Sequence, residues 1–87
     1  MLLDTQIQIH YRKSDQSATE GHFESALLSL ESMMDLFEQL PEMFKDKYMR
    51  KKLKKADYTF SKIQRNCSIS CRERVDNLGR WLERESI

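Results

Sequence analysis

Two histidines and two cysteines are the residues of this chain best suited to hold a metal. His10, His22, Cys67 and Cys71 belong to the residue types that bind zinc in tetrahedral sites. Zinc ligands commonly come in close pairs, whereas these histidines are twelve residues apart and the cysteines flank a predicted helix start. We therefore expect no metal and no other cofactor. A redox role for Cys67 and Cys71 stays open, because a helix N-terminus stabilises a thiolate.

Signals for catalysis are missing from the rest of the sequence. Neither histidine has a sequence neighbour that would orient it as an acid or a base, and there is no glycine-rich phosphate loop. The 87 residues predict one domain, residues 1–87, too short for a deep enzymatic cleft. No stretch is apolar enough to span a membrane, and two cysteines are too few for a secreted disulfide scaffold. We expect a cytoplasmic, non-enzymatic protein with no membrane contact.

The most informative feature is a run of seven basic residues among the eleven from Lys45 to Lys55. At 3.6 residues per turn, seven bases of the segment 45–65 fall within about 140° of each other, with Tyr58 among them. These eight residues, called the basic face below, are Lys47, Arg50, Lys51, Lys54, Lys55, Tyr58, Lys62 and Arg65.

Three interpretations of the basic face remain open. It could bind an acidic surface of another protein, which we favour. It could bind nucleic acid, since lysines neutralise phosphates and an aromatic ring can stack on a base. It could also be only the solvated side of a helix. The net charge of +1 weakens the nucleic-acid interpretation, because a nearly neutral protein gains no long-range attraction to a polyanion.

Charge is distributed very unevenly along the chain. Residues 1–44 carry two basic and eight acidic residues (net −6), residues 45–65 carry nine basic and two acidic (net +7), and residues 66–87 balance. Five acids lie on one flank of the predicted first helix: Glu20, Glu24, Glu31, Asp35 and Glu38. This flank could pair with Lys45 or Lys52 beside the second helix, or it could bind a basic partner.

Hydrophobic spacing predicts an all-α fold with three amphipathic helices, over about 17–40, 42–65 and 70–86. Ser17 with Glu20 and Ser70 with Glu73 fit capping boxes. Pro41 separates the first two helices by a tight joint, which favours an antiparallel hairpin between them. The apolar seam of the second helix is Met49, Leu53, Ala56, Phe60 and Ile63. We expect the three stripes to pack as a three-helix bundle.

The alternation of Ile7, Ile9 and Tyr11 with polar residues predicts that residues 1–16 form a short extended N-terminal arm or strand. Apolar residues outside the main helical stripes, together with this arm, exceed what one small core needs. We therefore expect self-association as a homodimer through Leu28, Leu36 and Trp81.

One segment resembles a known repeat. The run Glu20-Gly21-His22-Phe23-Glu24-Ser25-Ala26, followed by Leu30 and Met33, is similar to the turn and second helix of a tetratricopeptide-type hairpin. It also resembles small bacterial regulators of AraC-type activators, in which a Gly-aromatic-x-x-Ala helix precedes a basic helix. Where the repeat's first helix has Trp, Leu and Gly, this chain has His10, Lys13 and Ser14. Both resemblances imply helical recognition of proteins.

The function that these observations predict is that of a small regulatory or adaptor protein. It would bind another protein, with an acidic surface, through its helical hairpin. The alternative is a nucleic-acid-binding regulator that uses the basic face of the second predicted helix.

Overall fold

Four α-helices make up most of the chain in a computed structural model, which describes residues 2–45 and 47–85. The helices are α1 (Leu2–Thr19), α2 (Phe23–Glu38), α3 (Lys47–Asn66) and α4 (Arg72–Glu85). Short 3-10 helices, Glu42–Phe44 and Ile69–Cys71, precede α3 and α4. The described residues contain no strand, so the all-α prediction is confirmed there. The side chains of Leu2, Lys47, Tyr48, Met49 and Lys52 lie outside the description.

The extended N-terminal arm is a wrong prediction, because residues Leu2–Thr19 form the helix α1. Its inward side is defined by residues that recur every three or four positions: Leu3, Ile7, Tyr11, Ser14 and Ala18. The alternation that suggested a strand used only three residues, and two of them, Ile7 and Tyr11, also fit this longer helical pattern. Residues 2–45 and 47–85 therefore contain four α-helices rather than the three predicted.

Gly21 ends α1 and directs the chain into α2. It has a φ of +84°, which costs a glycine little. The amide of His22 donates to the carbonyl of Ser17 at 2.8 Å and the amide of Gly21 donates to that of Ala18 at 3.1 Å, the two bonds of a Schellman motif. Ser17 thus lies in the last turn of α1, and the capping box predicted to begin a helix there is wrong.

The main helical hairpin is formed by α1 and α2, which pack together more extensively than any other pair of helices. The hairpin predicted across Pro41, between α2 and α3, is a smaller contact. Pro41 does separate the two helices as predicted: α2 ends at Glu38, and a 3-10 turn precedes α3. Ser70 likewise lies within a 3-10 turn and makes no capping bond, so α4 begins two residues later than predicted.

The core is built from the apolar stripes of all four helices. Leu27, Leu30 and Phe37 of α2 have no exposed surface, and Leu53 and Ile63 of the predicted α3 seam are also fully buried. Each of α1, α3 and α4 packs against α2. Within the described residues, no helix is long and apolar enough to cross a membrane.

Replacement of Ile7 by alanine tests whether α1 is part of the core. Ile7 is 2 % exposed, so Ile7→Ala should lower the free energy of unfolding by about 2–4 kcal/mol in urea denaturation. Ile9 is 44 % exposed, and Ile9→Ala should cost less than about 1 kcal/mol. Equal, small effects of the two substitutions would show that residues 2–19 do not pack as described.

Candidate functional site

The basic face lies on the outer side of α3, opposite the buried residues Leu53, Ala56, Phe60 and Ile63. The side chains of Lys51, Lys54, Lys55 and Arg65 are exposed, and those of Arg50 and Lys62 are half-buried. From Lys51 to Arg65 the face extends about 21 Å at 1.5 Å per residue. The structure therefore brings six of the seven predicted bases to one surface. The seventh, Lys47, has its side chain outside the described residues.

Neighbouring helices border the basic face on both sides. On the α1 side, the hydroxyl of Tyr11 donates to the carbonyl of Lys55 at 3.3 Å. On the α4 side, Nη1 of Arg50 donates to the carbonyl of Glu85 at 2.6 Å and lies 4.0 Å from its carboxylate. Helices α1 and α4 therefore contact α3 at its two edges, and the surface between them is open to solvent.

Tyr58 lies in the middle of the basic face. Its side chain is 66 % exposed, and Nζ of Lys62 lies 4.6 Å from the centroid of its ring. This cation–π contact orders Lys62 against the ring. An ordered aromatic side chain among cations is the kind of residue that contributes most to binding at protein interfaces.

Arg50 of the basic face is paired with Glu85 at 4.0 Å. Among the described residues, none carries a carboxylate within ion-pair distance of Lys51, Lys54, Lys55 or Arg65. Burial of Asp57 raises the pKa of its carboxyl group, and the charge of Lys54, three residues earlier in α3, offsets only part of that effect by lowering the pKa. The basic face, which is defined by seven bases and Tyr58 and includes no acid, is positive.

The acidic flank of α2 contacts α4 rather than α3. Glu31 accepts hydrogen bonds from Arg74, from Nε at 3.2 Å to both carboxylate oxygens and from Nη2 at 2.5 Å. This pairing holds the pKa of the Arg74 guanidinium above its ordinary value. Glu24, seven residues before Glu31, accepts from the thiol of Cys71 at 3.4 Å. Glu38, seven residues after Glu31, accepts from the indole nitrogen of Trp81.

Pairing of the acidic flank with Lys45 is therefore not what the structure shows. Nζ of Lys45 lies 3.8 Å from Glu42 and 5.5 Å from the ring centroid of Phe37. The side chain of Lys52 is outside the described residues. Sequence reasoning missed the α2–α4 contact, although the seven-residue spacing of Glu24, Glu31 and Glu38 was a usable signal for one edge of a helix.

The residues predicted for self-association do not lie on one surface. Leu28 is 60 % exposed and Leu36 is half-buried, both on α2. Trp81 is 4 % exposed and packs edge-to-face on Phe37, with ring centroids 5.5 Å apart. Trp81 thus belongs to the core, because its ring completes the contact between α2 and α4, and it is not available to a second chain.

The histidines and cysteines do not form a shared site. His22 is exposed in the α1–α2 turn, 4.0 Å from Glu20, and His10 lies half-buried in α1. In the described ranges, no group of three metal-binding side chains comes together. Cys67 and Cys71 are free thiols. Burial, followed by the hydrogen bond to Cys71, raises the pKa of Cys67, which disfavours the thiolate that a redox role needs.

The chain was compared with family models, curated proteins and solved structures, and none of them matches it. The class of protein is therefore defined by the fold and the surface alone: it is an all-helical protein with an exposed basic face. The turn and helix Glu20–Ala26 lie within the α1–α2 hairpin, but family membership does not follow from that.

Removal of the Glu31 carboxylate tests the role of the acidic flank. Glu31→Ala should lower the free energy of unfolding by about 0.5–1 kcal/mol, because the pair with Arg74 is partly exposed to solvent. Asp35→Ala, on the same helix but at an exposed position, should change it by less than about 0.5 kcal/mol. Urea denaturation followed by Trp81 fluorescence measures both values. Equal decreases in the free energy of unfolding of the two variants would argue against a role of this flank in docking α4.

Asp57→Asn should stabilise the protein at neutral pH and lose that advantage below about pH 4. The pKa of Asp57 is raised on folding, so wild-type stability falls as the pH rises from the unfolded pKa through the folded pKa. Asparagine does not titrate, so the variant does not lose stability as the pH rises. Ser61→Ala, one turn along the same helix, should have the same effect at pH 7 and pH 3.5. A greater benefit of Asp57→Asn at pH 3.5 would contradict the raised pKa.

Proposed function

We propose that this chain is a small, non-enzymatic regulatory or adaptor protein that binds an acidic surface of another protein through its basic face. The observation that carries the proposal is the set of exposed lysines around the exposed ring of Tyr58. Partner-binding residues are the eight members of the basic face. The free thiols of Cys67 and Cys71 support a cytoplasmic location, since disulfides are rare there.

The shape and chemistry of the face favour a protein partner. A helix face of about 21 Å matches the length of a few turns of a partner helix or one edge of a small domain. Lysines pair with carboxylates at such contacts, while Tyr58 supplies apolar area at low entropic cost. The net charge of +1 gives no general attraction to polyanions, so binding depends on direct complementarity at the face.

Charge reversal with a matched control tests the proposal. The tagged wild-type chain, the K51E/K54E/K55E variant and the R12E/K13E/R72E variant are used to capture proteins from the native cell extract. Both variants change the net charge equally and replace only exposed bases. The K51E/K54E/K55E variant should lose the proteins that the wild type and the control retain. Retention by all three, with unchanged circular dichroism, would show that the basic face is only a solvated surface.

Tyr58→Ala separates the aromatic contribution from charge. Because Tyr58 is exposed, its removal should leave the stability within about 0.5 kcal/mol of wild type. It should weaken partner binding about tenfold or more, the usual effect at a binding hot spot. Unchanged affinity would exclude Tyr58 from the contact.

The second candidate function is binding of nucleic acid by the same face, favoured specifically by Tyr58, whose exposed ring could stack on a base. Nuclease treatment of half of each extract distinguishes the two candidates. Proteins retained after nuclease are bound directly. Direct titration with duplex and single-stranded fragments at low salt should show no binding if the partner is a protein. Binding that weakens steeply with salt would favour the nucleic-acid candidate.

A further inference from the structure

A groove between α3 and α4 lies next to the basic face. It encloses about 400 Å³, and its floor is formed by Phe60 of α3 and by Val75, Gly79 and Leu82 of α4. Gly79 allows the close approach of Phe60 to α4, because a Cβ atom at that position would stand 3.0 Å from Cζ of Phe60. Glycine inside a helix costs about 1 kcal/mol relative to alanine, so this close packing beside the groove has a structural cost.

The rim of the groove is acidic. Asp57, Asp76 and Glu83 line it, against the single base Arg80. Nη2 of Arg80 donates to the side-chain oxygen of Asn77 at 2.6 Å, and the rim as a whole carries three acids against one base. None of the three acids forms an ion pair with a described residue. An apolar floor with an acidic rim suits the side chain of lysine, whose stem is apolar and whose end is cationic.

We propose that this groove binds the basic face of a second copy of this chain. The inference rests on the proposed function in one respect, namely that the basic face is a binding surface. It names a second copy of the chain as a molecule that this face binds. The charge complementarity is direct. The exposed lysines Lys51, Lys54 and Lys55 on α3 and the exposed acids Asp76 and Glu83 on α4 form no ion pair with any residue that the structure describes.

The position of the two surfaces allows both contacts to form at once. Asp57, Phe60 and Ser61 of the groove belong to the same helix as the basic face and lie at its α4 edge. In a twofold pair that meets at this edge, each copy would present lysines to the groove of the other, which is the self-complementary pattern of most homodimers. The net charge of +1 keeps the repulsion between copies small.

Self-association of this kind covers the surface that binds the acidic partner. A second copy and the partner therefore compete, and the partner binds the monomer. The contact is electrostatic at its rim, so it weakens as salt increases.

Sedimentation with charge-exchanged variants tests the inference. The full chain should form a reversible dimer at a few hundred micromolar and low salt, and more monomer as salt is raised. The groove variant D76K/E83K and the face variant K51E/K54E should each dimerise at least tenfold more weakly when alone. An equimolar mixture should form a heterodimer, because the reversed groove and the reversed face are again complementary. Matched controls, D35K/E73K and R12E/K13E, alter exposed residues elsewhere and should dimerise as wild type does.

Four outcomes decide between the inference and its alternatives. A monomer at every concentration and salt overturns it. A dimer unaffected by both reversals also overturns it and points to another surface, such as Leu28 and Leu36. Failure of the mixture to associate, although each variant keeps the wild-type circular dichroism and Trp81 emission, overturns the pairing of groove with face. Weakened variants with a restored mixture support it.

The groove variant also separates this inference from the proposed function. D76K/E83K keeps the basic face intact and should capture the acidic partner at least as well as wild type. Loss of capture by K51E/K54E/K55E in a protein that never dimerises would leave the proposed function standing and remove only the self-contact. The opposite result is also possible to recognise. If the chain dimerises through face and groove but K51E/K54E/K55E still captures the partner, the proposed function is removed and the self-contact stands.

Discussion

Burial of the apolar stripe of α2 is the constraint on which the rest of the structure depends. Ala26, Leu27, Leu30, Met33 and Phe37 are all 0–1 % exposed, and α1, α3 and α4 each pack against this helix. A helix of 16 residues offers only about 24 Å of length, so three neighbours must divide its surface. Burial of each large side chain contributes about 1.5–3 kcal/mol, far more than any single ion pair at the surface.

The acidic flank of α2 decides which neighbour lies where. Carboxylates at Glu24, Glu31 and Glu38 contact Cys71, Arg74 and Trp81 along two turns of α4 and the turn before it. Each contact is weak on its own, but together they give α4 a register on α2 that apolar packing alone leaves poorly defined. With α4 on this flank, α3 meets α2 through its apolar seam and directs its lysines to solvent. Burial of that seam exposes the basic face, and α4 borders the face at Arg50.

Much of the fold could be predicted from the sequence, because three of the helices have clear apolar stripes with the right period. The buried residues Leu53, Ala56, Phe60 and Ile63 follow from spacing alone, and their burial fixes the orientation of the basic face. The helix α1 was missed because its inward positions include Ser14 and Ala18, which are buried but not strongly apolar. Ser14 can be buried because its hydroxyl donates to the carbonyl of Tyr11 at 2.8 Å, a bond that no hydrophobic pattern reveals.

Tertiary partners were harder to predict than helices. The exposure of Trp81 could not be judged from a helical wheel, because Phe37 and Glu38, far away in sequence, determine it. The close approach of Phe60 to Gly79 likewise shows in the sequence only as a glycine in a helix. Spacing specifies which side of a helix is buried, whereas the identity of the neighbour requires the packing of the whole chain.

Segregation of charge along a sequence does not require pairing of those charges in space. The acidic segment 1–44 and the basic segment 45–65 nearly cancel in number, yet Glu31 pairs with Arg74 of α4, and the carboxylate of Asp15 accepts from the neutral hydroxyl of Thr59 of α3. At physiological ionic strength, exposed charges are screened beyond about 8 Å, while the basic face is about 21 Å long. A partner at this face therefore experiences the local lysines rather than the net charge of +1. Recognition by the face acts at contact distance, which makes shape and the position of Tyr58 as important as charge.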